Sequence, residues 1–329
     1  MVIIPERRGV VLGYNPGGYA FTHHKAVAPM TDLVLKISPV IFAFVMGVVL
    51  RRVGVLSKAH ADKLLRVVVY VGLPMLIFAS ISRVQLSYEL SFLPLAAGLI
   101  LLLTWPLVTL LGRWLHLPRP TLGVFVIGPM TMNMAFVFPF TIVVWGADGF
   151  ALAALFDFGN AIIILTLVYA LSCWYGADQS HWQVVVKKMV SFPPFIALFF
   201  ALLANITSVP LAGNVLDVIH EIGRVIILLV PLALGVYFTP RMPDGKAVLS
   251  AVTLRIGVGF LFGLFWVEVF QLEGLMRAVV LLGATAPVGF NVLVFASQHH
   301  LNKEFAASIA SVSMLLALFY LPLLLYWLG

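Results

Sequence analysis

The chain has 329 residues, of which 62% are hydrophobic and only 10% charged, and its mean hydropathy is +1.09. Soluble domains carry about 25% charged residues, so a water-soluble fold is excluded. The formal charge of +7 would suggest nucleic acid in a soluble chain, but here the lysines and arginines fall in short breaks between apolar runs, where they read as topology signals.

Residues 1–30 carry Arg7, Arg8 and Lys25 among scattered glycines and no continuous apolar core. They read as neither a signal peptide nor a span, but as a disordered extension or a misplaced start with Met30 the initiator. Ten apolar stretches follow, near 33–50, 64–82, 91–112, 121–146, 149–175, 190–207, 216–238, 250–271, 276–298 and 305–328. Each approaches the ~20 residues a helix needs to cross a ~30 Å hydrocarbon core. No Asp, Glu, Lys or Arg interrupts Leu90–Gly112, Pro120–Ala147 or Met189–Leu216. The stretches form two sets of five, residues 31–176 and 190–329, around a linker at 177–189. Because five is odd, a second copy must enter the membrane from the opposite side, which predicts an all-α membrane protein of ten helices in two inverted five-helix repeats.

Lys and Arg resist translocation, so the short loops fix the orientation. The loops after spans 1, 3, 5, 7 and 9 hold Arg51, Arg52, Lys58, Lys63, Arg113, Arg119, Lys187, Lys188, Arg241, Lys246 and Lys303, whereas the other side, its tail set aside, holds Arg83 and Arg277. This predicts odd-numbered loops in the cytoplasm and both termini outside, in a cell (inner or plasma) membrane. Internal symmetry points the same way. Ser38-Pro39 is echoed by Pro193-Pro194 and Phe150-Ala151 by Phe305-Ala306, each 155 residues on, and Pro74 by Pro231 after 157.

Spans 4 and 9 hold matching places and are poorly suited to being unbroken helices. The first reads Gly128-Pro129-Met130-Thr131-Met132-Asn133-Met134-Ala135-Phe136-Val137-Phe138-Pro139 and the second Gly283-Ala284-Thr285-Ala286-Pro287-Val288-Gly289-Phe290-Asn291. Proline removes a backbone donor and crowds the preceding turn, so freed amides and carbonyls need partners at membrane depth, and Asn133 and Asn291 are natural ones. Paired discontinuous helices mark substrate sites in carriers, and opposed half-helix N-termini favour an anion with no fixed lysine or arginine nearby. Two proline kinks serving packing alone are the plainer alternative.

Ionisable groups inside a bilayer are costly and therefore candidates for function. Asp157 lies two turns into span 5 with Asn160 one turn on, a pair able to coordinate a proton or cation, or to brace the crossover; a bond from Asp157 to the broken backbone of span 4 explains its retention equally well. Glu268 reads as interfacial, and Arg66, Arg224 and Arg255 as anchors that snorkel from span ends. His299-His300 has no third ligand at a useful spacing, and the lone Cys173 supports neither a disulfide framework nor a Cys/His metal cluster.

Several runs resemble the auxin efflux carrier family, which includes bacterial malate and malonate permeases. They are Pro39 to Ser57 in span 1, Leu73-Pro74 with Phe78-Ala79-Ser80 in span 2, Phe156-Asp157-Phe158-Gly159-Asn160 in span 5 and Ala286 to Ala296 in span 9. The likeness runs from about residue 31 to the end. It implies a ten-helix carrier with broken crossover helices 4 and 9, related in architecture to bile-acid symporters and cation antiporters, that moves small organic anions, chiefly carboxylates, by elevator-type alternation. By that resemblance Asn133 and Asn291 hold the substrate carboxylate, with Pro139, Pro287 and Gly289 at the site. Pro129, Pro139 and Pro287 hold the breaks, and Asp157 with Asn160 supports or couples it. One departure stands out. The family's span 4 has an Asn followed by Gly-Phe, a second Gly and then Pro, whereas Asn133-Met134-Ala135-Phe136-Val137-Phe138-Pro139 lacks both glycines and is one residue short. Met134 and Phe138 should narrow the pocket and alter substrate preference.

Other chemistry leaves no trace. There is no His-Glu-x-x-His, Gly-x-Ser-x-Gly or phosphate-loop motif. No enzyme activity, cofactor or metal is expected. The partners expected are a small organic anion, H+ or Na+ as coupling ion, and the bilayer, with no nucleic acid. A homodimer is left open, as are the substrate, the direction of transport and the coupling. The competing readings are a sodium-coupled symporter of the bile-acid type, which should carry more acidic ligands than the nearly solitary Asp157, and a membrane receptor or sensor.

Overall fold

The computed structural model describes residues 30–176 and 182–328, apart from Ser208, Arg241 and Pro243. Among them every regular element is a helix. The first, α1 (Met30–Arg52), is the apolar run around Pro39 closed by Arg51 and Arg52, basic residues that suit a helix C-terminus. Ser57 caps the next, α2 (Lys58–Ile81), with His60 reciprocating, and α2 loosens into one π turn at Val68–Gly72. A 3-10 turn at Tyr88–Ser91 leads into α3 (Phe92–Trp114).

The fourth apolar stretch is not one rod. Pro118 and Pro120 start α4 (Arg119–Ile127), which stops at Gly128-Pro129. The chain becomes helical again only at α5 (Met134–Gly176), whose 43 residues take in the fifth stretch as well. A kink divides α5 at Gly146, where φ +66° and ψ −149° lie in a region open essentially to glycine alone. There follow α6 (Trp182–Val190), α7 (Pro193–Ile206), α8 (Gly213–Tyr237) and α9 (Gly245–Val269). Asp244 caps α9, which has its own π turn at Leu254–Val258. The ninth stretch is split into α10 (Gly274–Ala284) and α11 (Asn291–Gln298), and α12 (Lys303–Leu328) ends the described chain.

Seven of these helices, α1, α2, α3, α5, α8, α9 and α12, are long and apolar enough to cross a membrane, and α7 and α10 are shorter apolar helices. The sequence predicts ten spans. The difference has a local cause at each place: proline and glycine interrupt the fourth and ninth stretches, a kink in place of a loop joins the fourth to the fifth, and α7 has only 14 residues, ~21 Å of helix. The expected extension 1–30 lies outside the described residues except for Met30, as do residues 177–181 of the expected linker 177–189.

One buried core gathers α1, α2, α3, the first part of α5, α8 and α10; a second gathers α4, the end of α5, the start of α9, α11 and the first half of α12. Outside them Phe42, Leu110, Trp114, Phe199, Leu261, Phe319 and Trp327 stand exposed, a lipid-facing coat on a membrane protein. Polar contacts sort the loops into two groups. Arg51 donates to Val236 O at 2.8 Å and Arg119 to Trp174 O at 2.6 Å, joining odd-numbered loops. At even-numbered loops Arg83 meets Asp217 at 2.7 Å and Arg277 meets Glu268 at 3.3 Å.

Candidate functional site

The two interruptions meet. Met132, in the break between α4 and α5, and Val288, in the break between α10 and α11, pair as an isolated antiparallel bridge. Asn133 N–H donates to Pro287 O at 2.9 Å, and Gly289 N–H donates to Thr131 O at 3.1 Å and to its Oγ1 at 2.9 Å. The groups that proline frees in one break are thus satisfied by the other, as a dry interior demands. A Cβ on Gly289 would lie 2.8 Å from Thr131 Cβ, so only glycine permits this approach.

Side chains from α5 and α12 hold the crossing from outside. The Asn160 amide acts as a short strand: its Oδ1 accepts from Met132 N–H at 3.2 Å and its Nδ2 donates to Met132 O at 3.2 Å. The same Nδ2 donates to Asp157 Oδ1 at 2.7 Å. Asp157 therefore reaches the broken backbone through Asn160, and its half-buried carboxylate faces an apolar cavity of about 40 Å³ that Phe138 of α5, Leu73 of α2 and Phe195 of α7 also line. From α12, Ser313 Oγ accepts from Val288 N–H at 3.0 Å, and Tyr320 OH donates to Thr285 O.

The two asparagines are not equivalent. Asn133 is 4% exposed and caps α5, its Oδ1 accepting from Phe136 N–H at 3.1 Å; among the described residues its buried Nδ2 has no hydrogen-bond partner. Asn291 is exposed at the first turn of α11, next to Phe290, whose ring lies 4.3 Å from that of Tyr237. Both α5 and α11 begin at the crossing, so two positive half-helix ends converge there. Pro129 and Pro287 are buried in the breaks, whereas Pro139 lies inside α5, beyond its first turn.

One expectation is overturned. Arg255 is no snorkelling anchor: it is fully buried, the eleventh of the 25 residues of α9. Its Nη1 donates to Pro129 O at 2.9 Å and its Nη2 to Ala284 O, so a fixed cation clasps both breaks. A span beginning at 250, as the apolar run suggests, sets Arg255 near its end. The Asp244 cap begins the helix at Gly245 and carries Arg255 to mid-depth. Thr131, Ser313 and Tyr320 also escape a sequence reading, because each matters only through a partner distant in the chain. Arg66 and Arg224 are exposed, and Arg224, twelfth of the 25 residues of α8, pairs with Glu221 at 2.8 Å. His299 is buried with Cys173 Sγ 3.8 Å from its ring nitrogens, and among the described residues no three His, Cys, Asp or Glu side chains cluster to hold a metal.

A helical bundle coated in apolar side chains, with irregular backbone buried at its centre, is a multi-pass integral membrane protein of the transporter class. Residues 32–181 match the family model described as membrane transport protein. The match makes the first half of the chain similar to that family. It is 27% identical to an uncharacterised transporter of Methanothermobacter thermautotrophicus over 299 residues, 89% of this chain and 96% of the relative. To another uncharacterised transporter, from Methanocaldococcus jannaschii, it is 26% identical over 271 residues, 78% of this chain and 85% of that one. These relatives are transporters and the family is not an enzyme family.

Proposed function

We propose that this transporter is a secondary carrier of small organic anions, carboxylates of the malate, malonate or auxin-like kind. The reading takes the chain as ten crossings in two inverted five-helix repeats, with elevator-type movement of the crossing between the two faces of the membrane. The substrate carboxylate binds where α5 and α11 begin, at Asn133, Asn291 and the neighbouring amides, with Pro139, Pro287 and Gly289 at the site. Asp157 and Asn160 support it or couple it to an ion. The odd-numbered loops face the cytoplasm.

The observation that carries this reading is the antiparallel pairing of Met132 with Val288. Backbone outside a helix is tolerated at membrane depth only when buried in protein or lining a wet cavity, and two half-helix N-termini meeting there, each ~+0.5 charge, favour negative charge. The test is uptake by proteoliposomes of radiolabelled malate, malonate, pyruvate and indole-3-acetate, with proton and sodium gradients imposed separately. Saturable flux of at least one acid, abolished in Asn291→Ala, is expected. Binding without flux would instead favour a receptor, and flux driven by the sodium gradient alone would favour a sodium symporter.

A further inference from the structure

Four helix ends meet at the crossing, and they differ in sign. The helices α4 and α10 arrive with their C-terminal carbonyls, α5 and α11 depart with their N-terminal amides. A helix C-terminus carries about half a negative charge, which would cancel the attraction of the opposite ends for an anion. Arg255 removes that cancellation, because its guanidinium is bonded to the Pro129 and Ala284 carbonyls at the arriving ends. It is 0% exposed, its Nε has no hydrogen-bond partner among the described residues, and none of their carboxylates forms an ion pair with it. Asp157, the acidic group closest in bonding to the crossing, is tied to Asn160.

The two arriving ends together carry about one negative charge, so with Arg255 offsetting them the two departing ends, about +1 together, are left for an anion to neutralise. Arg255 lies within the π turn at Leu254–Val258, one of three among the described residues, and such turns recur at functional sites. We propose that Arg255 is a specificity-determining residue of the anion carrier read above: the fixed positive charge that the transported anion neutralises, acting from behind the two breaks. Pro129 stands two residues from Thr131, so the guanidinium lies on the order of 10 Å from the Thr131–Gly289 contact. A unit charge at about that distance, at an effective dielectric near 20, changes anion affinity roughly tenfold.

The experiment compares wild type, Arg255→Lys and Arg255→Gln in proteoliposomes, measuring KM for whichever of the labelled acids wild type transports, together with the melting temperature of each purified protein. Lysine keeps the charge and gives up the paired carbonyl bonds; glutamine keeps hydrogen-bonding capacity and gives up the charge. The proposal expects KM raised about tenfold in R255Q and close to wild type in R255K, even with R255K melting lower. Equal KM changes in both, or none in R255Q, would make Arg255 a brace only and leave the carrier reading intact. Should R255Q not fold, R255K decides: unchanged KM with a lowered melting temperature supports the charge, and KM rising as stability falls overturns it. If wild type moves none of the acids, the anion-carrier reading falls and this proposal with it.

Discussion

Asn160 is the residue on which the first break most visibly depends. Its amide is the outside partner of both the N–H and the C=O of Met132. Replacing it with leucine strands two buried backbone groups at ~1–3 kcal/mol each, so a loss of about 2–6 kcal/mol is expected in denaturation of the detergent-solubilised protein. Asn160→Asp keeps the acceptor but sets a carboxylate oxygen against Asp157 Oδ1 and Met132 O, so it should cost at least as much. Gly289→Ala tests the approach of the two breaks. Its Cβ would press on Thr131, costing about 1–3 kcal/mol and slowing flux more than it lowers stability if the crossing must move during transport. Unchanged flux in Gly289→Ala would show that the tight contact is dispensable. Asn160 was legible in the sequence as part of Phe156-Asp157-Phe158-Gly159-Asn160, but not its partner, because Met132 lies 28 residues away.

At the scale of the element, glycine and proline decide where helices stop. Gly146 turns the second half of the fourth stretch into the fifth without a loop, in a conformation closed to residues with a Cβ. Gly146→Ala is therefore expected to cost about 1–3 kcal/mol by thermal melting, whereas Ala147→Gly beside it, at a site of ordinary helical geometry, should cost no more than about 1 kcal/mol. The breaks themselves were legible: Gly128-Pro129 and Ala286-Pro287 announce them in one dimension. Helix starts were less so. Placing the eighth span five residues late hid Arg255, since Asp244 and Lys246 look like loop residues until Asp244 Oδ1 is seen accepting from Ala247 N–H at 3.1 Å.

At the scale of the molecule, the contacts of Arg51 with α8 and of Arg119 with the end of α5 join odd-numbered loops in pairs, and that these loops face the cytoplasm is the proposal drawn from Lys and Arg. That sidedness is open to direct measurement. In a Cys173→Ser background, a membrane-impermeant thiol reagent added to intact cells should label cysteines placed at Arg83 and Glu273 and spare those at Lys58 and Lys303. The reverse pattern would invert the topology while leaving the crossing untouched.

The sequence by itself determined that this chain lives in a membrane, that its helices break in the fourth and ninth stretches, and that residues 32–181 carry a transporter's signature. These properties are local: hydrophobic runs of sufficient length, prolines without an N–H, short motifs. Only the tertiary structure decided that the two breaks pair, that Asn133 is buried while Asn291 is exposed, and that a cation stands behind both. Each of those depends on groups distant in the chain, 126 residues for Arg255 and Pro129 and 29 for Arg255 and Ala284, meeting in an interior with no water to bond to, and nothing in the neighbourhood of Arg255 in the sequence names those two carbonyls as the ones it serves.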